Sequence, residues 1–302
     1  MNLKFPQKKI LLIGDFMVDY YQFGSSARFS PEAPIPVINL EKELIVPGGA
    51  GNVAMNLRSL GMHVTCLGCI GEDKWGNKLI SILNEKKIST KYIEQKKNHI
   101  TTLKQRVYCN NKQQSRVDHE AILDNWIPKN AVKYSDYDLV ILSDYNKGVF
   151  SKKWFEPSCN DFVILDPKTL KKHLLSSVNI ITPNLNELSI LSAQELNSDQ
   201  SIIRAAQKLL LEYSLDYILV TRGEDGLLVI GKNDFVKYID PNPVESPDVT
   251  GAGDTVVSVF STLYLTTNDI IYSASVANKA AAKVVAKKGT SVVDLEDLKS
   301  FL

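Results

Sequence analysis

The sequence predicts an α/β fold, with a mostly parallel central sheet flanked by helices and a small β-sheet lid. Three observations predict it. Short, continuous apolar runs recur along the chain, each closing in polar residues. Between them lie helix-length segments whose apolar residues fall at i, i+3 and i+4. Two stretches of the first half, 17–47 and 100–119, carry strand and turn chemistry without a helical period.

The elements follow in order. KKILLIGD reads as the first strand, and the stretch from Gly49 to Leu60 as a helix opened by glycines. HVTCLGCIG is a strand and DKWGNKLISILNEKK an amphipathic helix. DYDLVILSD, DFVILDPK, VNIITPN and DYILVTRG supply four more strands, and their unbroken apolar character suits a parallel sheet covered on both faces. The stretches 17–47 and 100–119 break this rhythm, the second with an Asn110-Asn111 turn between alternating flanks. They are expected to form a lid within a single domain spanning 1–302.

Composition narrows the class. A chain of 302 residues can bury about three quarters of its unfolded surface, so no disulfide or metal staple is needed. Lys+Arg total 35 against 34 Asp+Glu, a balance that argues against a nucleic-acid partner, whose groove would show as a basic excess. The start, MNLKFPQKKI, has no signal-peptide core, and no apolar run reaches the roughly 18 residues of a spanning helix. The expectation is a cytoplasmic protein with no membrane partner. Cys66 and Cys69 form a C-x-x-C, but it lies in an apolar, β-branched run with no second pair, so both read as small thiols packed in a strand. His63, His99, His119 and His173 are scattered and read as surface or packing residues.

The chemistry gathers where strands end, the edge at which parallel sheets bind ligands. Gly14, Asp15 and Asp19 follow the first strand, and Gly48, Gly49, Gly51 and Asn52 open the first helix. Later strands end in Asp144 and Lys147, in Asp166 and Lys168, in Asn184 and Glu187, and in Thr221, Arg222 and Gly223. One such residue is ordinary turn chemistry; five strand ends together point to one active-site edge. The sharpest element is Asp248-Val-Thr-Gly-Ala-Gly-Asp254-Thr255 before a helical run. Gly251, Ala252 and Gly253 let backbone N–H groups converge at a helix start as an anion hole. Asp254 beside bound anionic oxygens suits a general base in phosphoryl transfer. By contrast, the G-x-x-x-x-G-K match from Gly226 to Lys232 is followed by Asn233 and spans four apolar residues, so it reads as a hairpin strand and turn.

Taken together, PGGAGN, TPNLNE, TRGEDG and DVTGAGDT occur in the order and approximate spacing of the ribokinase-like (PfkB-type) carbohydrate kinases, which the chain resembles over essentially its full length. Within that family GDFMVDYYQFG, ARFSPEAPIPV, SDYNKGVF and ILDPK resemble the stand-alone kinases of D-glycero-β-D-manno-heptose 7-phosphate, which phosphorylate the anomeric hydroxyl on the route to ADP-heptose and lipopolysaccharide cores. Two departures are Asn146, where those kinases often have Gly, and His119, where Phe is common.

The resemblance implies ATP and Mg2+ as cofactors, leaves an activating monovalent cation open, and makes Asp254 the catalytic base. It implies that Asn184, Leu185, Asn186 and Glu187 organise the nucleotide phosphates, with Glu187 reaching the metal through water. Thr221, Gly223 and Asn278 fall in the nucleotide pocket. Asp19, Gly48, Gly49 and Asn52 fall on sugar-gripping positions, and Asp144 and Lys147 face the sugar. A sugar phosphate needs a cationic partner, for which Arg106, Arg116 and Lys147 are the candidates; Lys104 and Arg106 share a strand face at i, i+2. Apolar outer strands in the lid would leave a face to cover, which points to a homodimer. The alternatives are another sugar or sugar-phosphate kinase (fructokinase, ribokinase or phosphofructokinase-like) and a non-catalytic sugar- or nucleotide-binding regulator.

Overall fold

In this computed structural model, which describes residues 7–110, 112–243, 250–286 and 292–301, the chain crosses a large sheet repeatedly and leaves it twice to build a smaller one. It runs through β1 (Lys9–Gly14), β2 (Phe16–Ser25), β3 (Asn39–Gly49), α1 (Ala50–Ser59), β4 (His63–Gly71), α2 (Lys74–Glu85) and β5 (Ser89–Lys96). Next come β6 (Thr102–Cys109), β7 (Lys112–His119), β8 (Leu139–Ser143), β9 (Val163–Asp166), α3 (Lys172–Leu175) and β10 (Ile180–Ile181). The remainder is α4 (Leu185–Ser192), α5 (Asp199–Tyr213), β11 (Tyr217–Thr221), β12 (Leu227–Gly231), β13 (Val236–Ile239), α6 (Ala252–Thr267), α7 (Ile270–Val285) and α8 (Leu295–Lys299).

The nine-stranded sheet has the order β13-β12-β11-β10-β9-β8-β1-β4-β5. From β11 to β5 every pairing is parallel; β12 and β13 close one edge as antiparallel strands. The Gly226–Lys232 match is therefore strand β12, and the turn after it takes left-handed backbone at Asn233 and Asp234. Alternation along β1 sorts the core. Ile10 and Leu12 pack with Val53, Leu57, Leu83, Phe260 and Ala277 on one face; Leu11 and Ile13 pack with Leu174, Leu188, Ala206 and Leu209 on the other. Cys66 belongs to the first face and Cys69 to the second. An i, i+3 pair on a strand points in opposite directions, so these thiols cannot share a metal.

The smaller sheet has the order β3-β2-β6-β7, with β2 parallel to β6 and antiparallel to β3. Only Asp15 separates β1 from β2, so the two sheets join at the C-terminal end of β1. Register sets Asp19 opposite Lys104 and Lys104 opposite Asp118, and likewise Tyr21, Arg106 and Arg116 in a row. One expectation is corrected here. The outer strand β7 reads KQQSRVDH and is exposed throughout, so the apolar edge expected of the lid is absent there. Apart from Val117 on β7, the lid's strand edges expose apolar side chains at the other side, on Leu40 and Leu44 of β3 and on Phe29 and Ile35 before it. Asn110 is left-handed at the β6–β7 turn, and Asn111 lies outside the described residues.

Candidate active site

Asp254 sits in the first turn of α6, whose preceding residue Gly251 has φ 81° and supplies no side-chain cap. Left-handed backbone of that kind favours glycine. The first amides of a helix have no partner within it, so this start offers free donors with the positive end of the dipole behind them. Gly253 is exposed, and among the described residues a Cβ built on it would meet nothing within 4 Å. Asp254 itself is buried. Asn52 Nδ2 donates to its Oδ2 at 2.7 Å, and the Tyr145 hydroxyl donates to its Oδ1 at 2.5 Å. Burial pushes its carboxyl up to about 6, against the pull of those two hydrogen bonds. Asn52 is in turn oriented by Asn56, whose Nδ2 donates to its Oδ1 at 3.3 Å and whose own Oδ1 accepts from Val293 N.

Asp19 lies beside this carboxylate, close enough for its charge to act on Asp254. Its Oδ1 is 2.5 Å from Arg106 Nη1, and both side chains are almost wholly buried. A Cβ at Gly48 would collide with the Asp19 carboxylate, so the glycine at that position makes room for Asp19. Gly49, at φ 55°, turns the chain from β3 into α1. Arg116 grips Asp118 with two nitrogens at 2.8 and 2.6 Å, and that grip holds the Asp118 carboxyl down at about 2. Lys147 is 2.6 Å from Glu120. All three candidate phosphate binders therefore have an acidic partner.

The loop after β8 is fixed from below. Asp15 accepts hydrogen bonds from the backbone N–H groups of Tyr145, Lys147 and Val149 at 2.9, 3.0 and 3.2 Å. Its carboxyl is raised to about 6 by burial and by the charge of Asp144, which those amides only partly offset. Asp144 accepts from Asn146 N and pairs with Lys171 at 2.5 Å. Asn146 has φ 58°, a left-handed conformation that glycine favours and asparagine tolerates best among other residues. That accounts physically for Asn146 at a position where glycine is common.

On the far side, Asn184 and Glu187 form a capping box at the start of α4. Asn184 Oδ1 accepts from Glu187 N, and Glu187 Oε2 accepts from Asn184 N, both at 2.9 Å. The free Glu187 Oε1 is 2.7 Å from Lys168 Nζ. Leu185 and Asn186 fill the first turn of that helix, Asn186 exposed. Asp166 accepts from the Thr182 hydroxyl, and its carboxyl is pushed far up by burial and by the charges of Glu187 and Asp254. Thr221 ends β11 and bridges to Asn184. Gly223, at φ 60°, opens the following turn, with space where a Cβ would stand. Asn278 is on α7 and donates to Asp240 O at 2.8 Å; a Cβ on Gly226 would lie 3.0 Å from the Asp240 carbonyl carbon. Thr221, Gly223 and Asn278 thus flank one end of the same edge.

A family model described as "pfkB family carbohydrate kinase" matches residues 7–297. The chain belongs to this family of carbohydrate kinases. The bifunctional protein HldE of Actinobacillus succinogenes is 34% identical over 310 residues, covering 100% of this chain and 65% of that protein. HldE of Helicobacter acinonychis is 36% identical, covering 98% of this chain and 66% of its own length. The chain therefore spans about two thirds of these relatives. Among solved structures, the ribokinase of Thermotoga maritima superposes with a TM-score of 0.76 at 21% identity, over 97% of this chain and 99% of its own. The ribokinase of Arabidopsis thaliana, solved with ribose and ATP, gives 0.73 at 19%, covering 98% of each chain. Phosphofructokinase-2 of Escherichia coli, solved with potassium, also gives 0.73 at 19%, over 98% of each chain. The fold is thus ribokinase-like, and the chain is a sugar kinase.

Within this pfkB-family chain, Asp254, Asn52, Asp19, Asp166 and Glu187 converge on one edge. Asp248 lies outside the described residues. Sequence reasoning passed over Tyr145 and Lys171, both in direct contact with acids of the site. Tyr145 stands in SDYNKGVF, beside a strand-end acid, and that adjacency is the signal available for it.

Proposed function

We propose that the chain phosphorylates the anomeric hydroxyl of D-glycero-β-D-manno-heptose 7-phosphate with ATP, giving the 1,7-bisphosphate for ADP-heptose and lipopolysaccharide core synthesis. One observation carries the chemistry: a buried carboxylate, Asp254, stands beside free amides at the start of α6. Asp254 accepts the proton of the sugar hydroxyl, the hydroxyl oxygen bonds to the γ-phosphorus, and the bond to the ADP oxygen breaks. Amides of Gly251, Ala252 and Gly253 face the transferring phosphoryl oxygens. Asp19, Gly48, Gly49, Asn52 and Asp144 line the sugar side. Thr221, Gly223, Asn278 and the Asn184–Glu187 turn line the nucleotide side. ATP as donor is supported by the nucleotide in the Arabidopsis thaliana ribokinase.

Mg2+ fits the residues present. Asp166 and Glu187 are oxygen donors whose mutual repulsion the Thr182 hydroxyl and Lys168 only partly offset. Among the described residues there is no cluster of three or more metal-ligating side chains. Such a sparse set suits an ion that keeps several waters and takes phosphate oxygens as ligands. Glu187, through water, and Asp166 would hold it, and when bound it neutralises phosphate charge.

Arg116 is the best placed of the three cations for the sugar phosphate: it is the most exposed, and it stands opposite Arg106 on the Asp19 face of the lid. The exposed edge of β3 supports pairing of lids in a homodimer. No helix among the described residues is long and apolar enough to cross a membrane, and we place the enzyme in the cytoplasm. The acidic partners of Arg106, Arg116 and Lys147 favour a second reading, a kinase for an unphosphorylated sugar. ATP consumption across a panel of sugars and sugar phosphates decides. Preference for the heptose 7-phosphate supports the first reading, and turnover of free sugars with equal efficiency supports the second.

A further inference from the structure

We infer that Tyr145 is a positioning residue for phosphoryl transfer: its hydroxyl fixes the Asp254 carboxylate so that the remaining lone pairs face the acceptor hydroxyl. This rests on Asp254 being the general base. A carboxylate offers about four lone-pair directions, two per oxygen. Asn52 takes one on Oδ2 and Tyr145 one on Oδ1. Each oxygen keeps one direction for a substrate, and rotation of the carboxylate would break both bonds.

The backbone around Tyr145 is over-determined, which a packing tyrosine does not need. Asp15 binds the amides of residues 145, 147 and 149, Asp144 binds the amide of 146, and Lys171 locks Asp144. The left-handed turn at Asn146 carries the chain away at once, leaving the phenol to reach from the end of β8 to the start of α6. Phenylalanine would fill the same space without the donor.

The hydroxyl also acts on the charge of its partner. Burial and the carboxylates of Asp254 and Asp166 hold the Tyr145 phenol well above its ordinary value, so it remains a donor across the working pH range. Asp254 is faced by Asp19 on β2, by Asp166 at the end of β9, by Lys168 beyond it, and by the neutral Asn52 on α1. Burial and the acid Asp19 favour the protonated base, while Lys168, Asn52 and Tyr145 favour the ionised one. Removing Tyr145 therefore leaves Asp254 harder to ionise.

The test is the pH dependence of the single-turnover rate with saturating ATP. For Tyr145→Phe the acid limb should move up by about one pH unit, the shift expected when a charge-assisted hydrogen bond to the ionised form is lost. With Asp254 near 6, that shift should lower the rate about twofold at pH 7 and about tenfold near pH 5, the loss vanishing as the pH rises, with ATP affinity within about twofold of wild type. A limb that superposes on the wild-type one, or a loss equal at every pH, overturns the inference. If Tyr145→Phe does not fold, 2,3-difluorotyrosine at position 145 replaces it. This more acidic phenol is a stronger donor and should move the limb down; an unmoved limb again overturns the inference. Asp254→Asn separates the two failures. If that variant stays active, the general-base reading is wrong; if it is inactive while Tyr145 substitutions leave the limb in place, Tyr145 alone is misassigned.

Discussion

Asn52 Nδ2 donates to Asp254 Oδ2 at 2.7 Å, joining the first helix to the sixth across 202 positions of sequence. The contact is possible because both residues stand at helix starts on one edge of the sheet, where α1 follows Gly49 and α6 follows Gly251. It would give the proposed base a fixed orientation before any sugar arrives, and orientation is a large part of what a kinase must supply.

Asp254→Asn should lower kcat by roughly 10²–10⁴ while ATP affinity changes little, because the proton acceptor is lost and the anion hole is not. Its amide can keep its oxygen towards Asn52 and turn its N–H₂ to the Tyr145 oxygen, which accepts as well as donates, so the side chain stays held without a proton acceptor for the sugar. Steady-state kinetics with nucleotide titration checks this, and retention of more than about a tenth of wild-type kcat removes Asp254 from the base role.

The same residue carries a stability signature. Asp254 and Asp15 are both raised to about 6 from 3.8. A group raised in the folded state adds stability that is fully present below the unfolded value and is lost as pH rises through the folded one. Asp254→Asn has no such loss, so its stability relative to wild type should improve between about pH 4 and pH 6. Urea unfolding at both pH values measures the difference; a gap that stays constant or reverses contradicts the burial of a charged Asp254.

Strand ends were the most legible part of the sequence, because parallel strands buried on both faces must be apolar until they stop, and Asp15, Asp144, Asp166 and Asn184 mark the stops. The Gly251–Asp254 turn was legible for the same local reason. Long-range contacts were not. Nothing local reveals that Tyr145 reaches Asp254, that Lys168 meets Glu187, or that Arg106 is taken by Asp19, since each pair forms only when separate elements come together. The apolar outer strands expected of the lid fail at β7, whose KQQSRVDH holds one apolar residue and is exposed along its whole length.

Arg116 and Arg106 should separate by kinetic signature. Arg116→Gln removes an exposed cation and should raise KM for the sugar phosphate by roughly ten- to a hundredfold, the value of a charge-assisted contact. Arg106→Gln leaves Asp19 buried without its partner, so it should lower kcat and thermal stability together. If Arg116→Gln leaves the sugar KM unchanged, the phosphate is held elsewhere or the substrate lacks one.

Gly253→Val tests the anion hole without disturbing the fold. The site of the new Cβ is open, and Gly253 is in the first turn of α6, so melting temperature should stay the same or rise slightly. The branched side chain would instead stand where phosphate oxygens approach the amides, raising KM for ATP whatever the sugar. A variant that melts and turns over ATP like wild type would make the glycine run a helix start only.

Glu187→Gln distinguishes metal from cap. Glu187 Oε2 closes the capping box with Asn184, and Oε1 meets Lys168. Glutamine can also close a capping box, so the helix start should survive, with stability within about 1 kcal/mol of wild type. What glutamine cannot supply is the negative charge that faces Lys168 and a hydrated Mg2+. The concentration of Mg2+ needed for half-maximal activity should therefore rise several-fold, while sugar KM stays put. Glu187→Ala should show the same Mg2+ effect and lose about 0.5–1.5 kcal/mol besides, the usual net contribution of the one hydrogen bond that closes the box, since Asn184 still caps the helix. The two variants, titrated with Mg2+ and unfolded in urea, separate the roles: an unchanged Mg2+ requirement in Glu187→Gln with a destabilised Glu187→Ala would leave Glu187 a structural cap, and the metal would then depend on Asp166.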